Sequence, residues 1–400
     1  MHENTMKQST EQNLLAWSLY WRKQGQPWRK EPEIDQERQA FLAMQRVTTP
    51  DIERGRYPFK EIKLGRADIE WLLATHEQGN GPVDWDDKRQ RERFGLDLRG
   101  ADLRLADLED LPLARVLCGL PWSEWLPASV EQRDMARTHL EEAQLNRTHL
   151  EGAALNGAFL NRAHLYEAWM ERAELGGVHL QSAILSHAYL QEADLIGAHM
   201  DKASFPYAHM EGAYLTGAHM RGCDASHAYL EKADLSYAHL EEAILSYVHA
   251  EDANMGGCYL QCANLYQAML TGCDLGGAHL EGANLCKAYL ETAYLSGRHT
   301  GAFLESADLS GAHLEGANLH MAHLEGAYLH RAHLELADLR AAHFEGADLS
   351  YACLDGANMD LTHFGNTLID PDDLVRIQKW VRDFPGELPH ALLHGTILAK

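Results

Sequence analysis

The chain has 400 residues, 46% of them hydrophobic and 24% charged, and a net charge of −24 from 35 Lys+Arg against 59 Asp+Glu. This composition excludes a disordered chain, and its acidic balance excludes a general nucleic-acid binder and disfavours docking on anionic membranes. No run approaches roughly 18 consecutive apolar residues, so no membrane span is predicted, and the start lacks the basic-then-apolar pattern of a secretory signal.

The charge divides the chain. Residues 1–135 hold 20 Lys+Arg and 24 Asp+Glu, whereas 136–400 hold 15 and 35, together with 22 of the 24 histidines. At the front, residues 10–24 and 33–46 read as helices, with Leu14, Trp17 and Trp21 on one face of the first; 67–76 is a third candidate. Leu98, Leu103, Leu108 and Leu113 then recur at five-residue intervals over about 96–115. Residues 117–135, with Trp122 and Trp125, interrupt that rhythm. The stretch 1–135 is therefore expected to be a mixed helical domain that includes an isolated piece of a repeat.

From Thr138 to Asn366 the rhythm is continuous. Leu or Met takes nearly every fifth position, in Leu140, Leu145, Leu150, Leu155, Leu160 and onward, and a small residue such as Ala143, Ala153 or Ala158 sits two places earlier. Five is far from the helical 3.6, and an odd period would put successive leucines on opposite faces of a flat strand. The chain must turn a corner every five residues and stack its coils, with leucine inside and alanine letting the walls approach. The register breaks once, between Leu295 and Leu304, which lie nine residues apart rather than ten. A four-residue insertion around 297–301 keeps the sides aligned, because Phe303-Leu304-Glu305 then continues the glutamate-bearing side. Ala225 and Ala250 replace the central leucine, which predicts gaps unless neighbours fill them.

Past Asn366, Asp370-Pro371-Asp372-Asp373 reads as a helix start, and Leu374, Ile377, Trp380 and Val381 form an apolar stripe. Residues 367–400 are thus expected to hold a helical cap and tail that cover the last coil's open edge.

The motif A-(D/N/H)-L-x-x, as in Ala193-Asp194-Leu195-Ile196-Gly197, resembles the pentapeptide-repeat family over well more than half the chain. The resemblance implies a mainly β fold, a right-handed quadrilateral β-helix with four pentapeptides per coil. The leucine and the small residue point inward, and the other three face solvent. On that plan residues 136–366 make about eleven coils and a rod roughly 54 Å long at strand spacing. Glycines two places after the leucine, such as Gly197, Gly212, Gly217 and Gly282, suit corners that need positive φ. Some members mimic DNA and bind DNA gyrase, and members often pair end to end through a C-terminal cap. The resemblance thus brings in a topoisomerase partner and a homodimer through 371–383 as expectations.

A second rhythm, of ten residues, alternates His-Leu-Glu units such as His239-Leu240-Glu241 with Asp/Asn-Leu units such as Asp234-Leu235-Ser236. Residues twenty apart should lie one above another, so His179, His199, His219 and His239 form a column that could pinch a transition metal. A ladder lacks the converging geometry of a specific metal site, and no metal or cofactor is expected. Glu151, Glu171, Glu211, Glu231, Glu251 and Glu291 share one side and form a candidate acidic binding face. Duplex DNA carries one charge per about 1.7 Å, so this segment is less densely charged than DNA of equal length. Protonating its histidines near pH 6.5 would remove most of its negative field.

No nucleotide-binding or nucleophile motif occurs, and the His–Glu neighbours are many near-equivalent copies, so no catalytic residues are predicted. Cys223, Cys258 and Cys273 fall at inward positions, and seven cysteines in no framework spacing suit a reducing, cytoplasmic compartment. Trp17, Trp21, Trp28, Trp71 and Trp85 read as packing residues of the N-terminal domain. The sequence thus predicts a non-enzymatic scaffold that offers an acidic, histidine-rich surface to an unidentified protein partner. The alternatives are a DNA mimic acting on a topoisomerase, and a structural spacer or metal-buffering rod.

Overall fold

A chain that turns every five residues has room for one laddered residue per side, so long regular strands do not develop. A computed structural model describes residues 15–297, 300–370, 375 and 397–398. They belong to two compact units, Met1–Leu195 and Ile196–Lys400. In both, the residue before each central leucine makes the pairing. His139 pairs in parallel with Phe159, Gln144 with His164, His149 with Trp169 and Ala154 with Glu174, each twenty residues on.

Each side hydrogen-bonds in both directions. The Leu140 N–H donates forward to the Phe159 carbonyl at 2.7 Å, and the Phe159 N–H donates back to Thr138 at 3.0 Å. The corner closes when the Ala143 N–H returns to the Leu140 carbonyl at 3.1 Å. Glu142, the third residue of that type II turn, is left-handed at φ 60° and donates to Asn161 in the next coil at 3.0 Å. Gly197, Gly212, Gly217 and Gly282 take this corner, but so do Arg162, Lys232 and Tyr237 at φ 58°, 59° and 58°. Left-handed geometry at a non-glycine costs about 1 kcal/mol or more. The turn bond and the inter-coil bond hold it in place, so glycine is optional there.

In the first unit, residues 15–23 form helix α1 and Gln36–Arg46 form α2. The helix predicted over 33–46 starts later because Asp35 caps it, accepting the Arg38 N–H at 2.7 Å. Helix α3, Arg66–Ala74, buries Ile69, Trp71, Leu72 and Leu73. It ends short of His76 in a turn where Glu77 and Gln78 have positive φ. Its buried Glu70 accepts the Lys30 and Glu31 N–H groups at 2.8 and 3.0 Å and Arg66 Nε at 2.8 Å. Arg66 reaches on to Asp107 at 3.1 Å, which ties α3 to the first coil. Residues 10–14 of the first predicted helix lie outside the described residues.

The parallel ladder starts well before residue 136. Asp97 pairs with Leu117, and the next partners of Asp102, Asp107, Pro112 and Leu117 are His139, Gln144, His149 and Ala154, a step of thirty-seven. The extra residues form two short helices, α4 (Trp122–Trp125) and α5 (Val130–Ala136). The chain then rejoins its register, and Leu140, Leu145, Leu150, Leu155 and Leu160 are 0–3% exposed.

In the second unit the twenty-residue step runs from His199 to Tyr294. It lengthens once, when His279 pairs with Phe303 and Tyr289 with His313, and then returns to twenty. The extra residues leave through an antiparallel bridge between Ser296 and Gly301. Ala225 and Ala250 are fully buried. Phe205 stands at the central position one coil before Ala225, and Val248 replaces the usual alanine two residues before Ala250. At the end, three two-residue strands pair in parallel: β1 (Asp348–Leu349), β2 (Leu368–Ile369) and β3 (Ile397–Leu398). The tail thus adds a strand to the last laddered side, which the sequence pattern did not suggest. Leu374, Ile377, Trp380 and Val381, the predicted cap stripe, lie outside the described residues. No helix among those described is long and apolar enough to cross a membrane.

Candidate functional site

Stacking coils leaves one amide per side without a ladder partner, that of the residue after the central leucine. Two kinds of side satisfy it differently. On the Asp/Asn sides the carboxylate or amide just before the leucine reaches over it. Asp234 Oδ1 accepts the Ser236 N–H at 3.0 Å, Asn254 that of Gly256 at 3.1 Å, and Asp274 that of Gly276 at 2.9 Å. On the other sides that position is mostly His, Tyr, Phe or Trp, and a glutamate after the central residue folds its carboxylate against its own N–H, as at Glu171, Glu231 and Glu335.

The rings that occupy the vacated position stack. In the first unit His139, Phe159 and His179 lie 5.0 and 4.9 Å apart, and His149 lies 4.1 Å from Trp169. In the second, His199, His219 and His239 are 5.0 Å apart at each step, and Tyr259, His279, Phe303, His323, His343 and His363 continue the column. Ring spacing is simply coil spacing.

Where a glutamate follows two residues on, the imidazole is in most cases also held at its edge. Nδ1 lies against the glutamate two residues on, at 2.9 Å for His139–Glu141, 2.8 Å for His149–Glu151, 3.2 Å for His239–Glu241 and 3.0 Å for His279–Glu281. An ionised carboxylate only accepts, so Nδ1 carries the proton and donates.

This geometry bears directly on the proposed metal column. The planes of His199, His219 and His239 are within 15° of parallel. Their lone pairs therefore lie in separate planes and do not converge on one ion. None of His179, His199, His219 and His239 belongs to the described groups of three His, Cys, Asp or Glu side chains whose ligand atoms lie within 4.8 Å of one another. Those groups instead pair one histidine with glutamates of its own and the preceding coil, as in Glu315, His333 and Glu335, or place Glu345 between His343 and His363.

The acidic column is less exposed than an outward-facing edge. Glu151 is buried at 5% exposure, and Glu171, Glu211, Glu231, Glu251 and Glu291 are half-buried. One oxygen of Glu151, Glu171, Glu211, Glu231 and Glu251 is buried with no hydrogen bond from another residue. Glu291 instead accepts from the Thr271 hydroxyl at 3.0 Å. Burial raises the Glu171 and Glu231 carboxyls above their ordinary range, against the opposing pull of their own N–H groups. Neighbouring carboxylates raise both further. The inward Cys223 and Cys258 thiols are pushed far up by burial, which makes them inert packing groups.

The way tryptophans dock on the first coils escaped the sequence reading. Trp85 covers Gly152, Trp125 covers Gly157, and Trp122 covers Gly176; a Cβ at any of these glycines would come within 2.9 Å of an indole carbon. The Gly176-Gly177 pair beside an interruption rich in tryptophan was the available signal.

A family model for pentapeptide repeats matches in eight copies, over residues 143–181, 183–222, 208–246, 223–261, 245–277, 263–297, 299–326 and 322–360, together more than half the chain. No curated protein matches. Among solved structures, the chain is similar to HetL, a pentapeptide repeat protein involved in heterocyst differentiation regulation from the cyanobacterium Nostoc sp. strain PCC 7120. The identity is 25%, over 75% of this chain and 97% of that one, with a TM-score of 0.27. It is also similar to QnrB1, a plasmid-mediated fluoroquinolone resistance protein, at 18% identity over 50% and 95% of the two chains, with a TM-score of 0.31. Rfr23 from the cyanobacterium Cyanothece 51142 is 32% identical over 26% of this chain and 64% of that one, with a TM-score of 0.19. With its laddered five-residue sides and the matched repeats, the chain belongs to the pentapeptide-repeat family, whose fold is the right-handed quadrilateral β-helix.

Proposed function

We propose that the chain is a non-enzymatic scaffold that offers its stacked histidine, aromatic and glutamate columns to a protein partner. One observation carries the reading: the same His–Glu pair recurs from coil to coil, as in His209–Glu211, His239–Glu241, His279–Glu281, His313–Glu315 and His323–Glu325. Catalysis needs one distinctive, desolvated constellation. A repeated pair at coil spacing suits a partner that reads an extended, regular surface. In this reading residues 136–366 form one solenoid of about eleven coils at twenty residues each. Residues 1–135 act as an adaptor, and 371–383 offer a homodimer contact. The seven free cysteines support a reducing, cytoplasmic location.

A second reading, a DNA-mimicking modulator of a topoisomerase, is favoured by one feature. The Glu211, Glu231 and Glu251 column is dense enough that its outer members raise the Glu231 carboxyl. The test uses the full chain, unmodified or with Glu211→Lys, Glu231→Lys and Glu251→Lys together, for affinity capture from native cytosol and in a gyrase supercoiling assay. The scaffold reading expects a stoichiometric partner that the triple variant loses; an identical captured set overturns it. The mimic reading expects gyrase inhibition that the triple variant abolishes, and no inhibition by the unmodified chain refutes it.

A further inference from the structure

We propose that His343, Glu345 and His363 form a single binding site for a divalent transition-metal ion such as zinc. The ligand atoms of the three side chains all lie within 4.8 Å of one another, and theirs is the group, among those described, that supplies two imidazoles. The site arises where the repeat loses a glutamate. The unit around His363 reads His363-Phe364-Gly365, so this histidine has no acid two places on. One coil earlier the unit is His343-Phe344-Glu345, and His343 pairs in parallel with His363. Glu345 therefore stands between two imidazoles. Its Oε1 lies 3.6 Å from His343 Nδ1 and 3.7 Å from His363 Nδ1.

Those distances set the site apart from the histidines of the preceding coils. At His313, His323 and His333 the same contact is a hydrogen bond of 3.1, 3.2 and 3.3 Å. Such a bond fixes the proton on Nδ1, where a metal needs a lone pair. At 3.6 and 3.7 Å there is no hydrogen bond, so neither Nδ1 is committed as a donor to Glu345. The spacing instead approaches the edge of a zinc coordination tetrahedron, in which ligands about 2.0–2.2 Å from the ion lie roughly 3.3–3.6 Å apart. Two imidazole nitrogens and one carboxylate oxygen are a donor set that zinc takes in open sites, with water in the fourth position.

One ring must move for the three ligands to converge. The His343 and His363 planes are 4.5 Å apart and within 11° of parallel, so as stacked they share the defect of His199, His219 and His239. The difference lies in freedom. His343 is held between His323, at 5.0 Å, and His363. The His363 side chain is 47% exposed, and among the described residues no ring stacks on its other face. A rotation about its Cβ–Cγ bond aims Nδ1 at an ion that His343 and Glu345 already hold. Interior members of the column, with a ring on both faces, lack that rotation.

The test is a calorimetric titration of the full chain with zinc chloride at neutral pH. One tight step of one ion per chain is expected, ahead of weaker uptake by exposed histidines elsewhere. His343→Phe, His363→Phe and Glu345→Gln should each weaken that step about tenfold or more, since losing a ligand costs no less than losing a group that orients one. The fold already accepts these replacements: Phe303 stands in the same histidine column and Gln261 in the same glutamate column. His313→Tyr, in a group with a single imidazole, should leave the tight step unchanged. Several equivalent weak sites would show general uptake by the ladder and overturn the proposal. So would no zinc binding, or a tight step that His313→Tyr weakens as much as His363→Phe. The site does not rest on the scaffold reading, whose assays turn on Glu211, Glu231 and Glu251.

Discussion

Phe205 and Ala225 occupy the central position in successive coils, and both are completely buried. The Phe205 N–H donates to the Asp224 carbonyl at 2.8 Å, so the two side chains project into neighbouring layers of the same core. A large residue beneath a small one fills the space that two leucines fill elsewhere. Ala225→Leu alone should overpack this layer by about 1–3 kcal/mol. Phe205→Leu alone should cost about 1 kcal/mol, between the usual costs of losing one methyl and losing a whole aromatic ring. If the sites were independent, the double variant would lose about 2–4 kcal/mol. Because the two exchange volume, it should lose less than about 1 kcal/mol, a coupling of about 1–3 kcal/mol. The four proteins can be compared by urea denaturation followed by circular dichroism. Hydrogen exchange at the Phe205 and Ala225 amides localises the effect, since repeat proteins need not unfold in one step. A double-variant loss equal to the sum of the singles, within about 0.5 kcal/mol, would refute the volume exchange.

Two further outcomes follow from the corners and the buried acids. Gly197 and Gly157 share left-handed geometry at φ 62° and 68°, but a Cβ meets nothing at Gly197 and Trp125 at 2.6 Å at Gly157. Gly197→Ala should therefore cost about 1 kcal/mol of conformational strain, while Gly157→Ala should cost clearly more and shift tryptophan fluorescence. Equal losses of stability would contradict the docking of Trp125. Glu231→Gln should stabilise the protein at pH 7, by less than about 1 kcal/mol given solvent screening. The folded-state pKa of Glu231 is raised, so its ionisation costs stability above that pKa, and the cost fades as pH falls through it toward the ordinary value of 4.5. A gain that is constant from pH 7 to pH 4 would show that the carboxyl's charge is not the cause.

The five-residue period made the solenoid legible because one residue per side ladders, so separation in sequence becomes separation between coils. Leu140 to Leu160 needed only that arithmetic to be placed inside. The corners were harder. Glycine hinted at positive φ, yet Arg162 and Lys232 adopt it because two hydrogen bonds per corner outweigh the strain, and composition does not register those bonds. The glutamate column was legible in position but not in exposure. Nothing in a His-Leu-Glu triplet announces that one carboxylate oxygen takes the imidazole and that the other is buried, as at Glu241. Tertiary partners far away in sequence, such as Trp125 over Gly157 or Ile397–Leu398 beside β2, obey no repeat and left no periodic trace.

The bond that closes an ordinary corner, from the small residue back to the preceding central carbonyl, survives in both places where the chain departs from its rhythm. The Thr138 N–H donates to Cys118 at 2.9 Å across the helical excursion, and the Ala302 N–H donates to Leu295 at 2.7 Å across the shorter one. Each detour is thus an ordinary bend with a longer path, and the coils on either side keep their alignment. The architecture is modular in a specific sense: new segments, even helical ones, can be grafted between a central carbonyl and the next small residue's amide without disturbing the coils beside them. Evolution or a designer could add recognition loops at chosen heights while the ladder keeps its count.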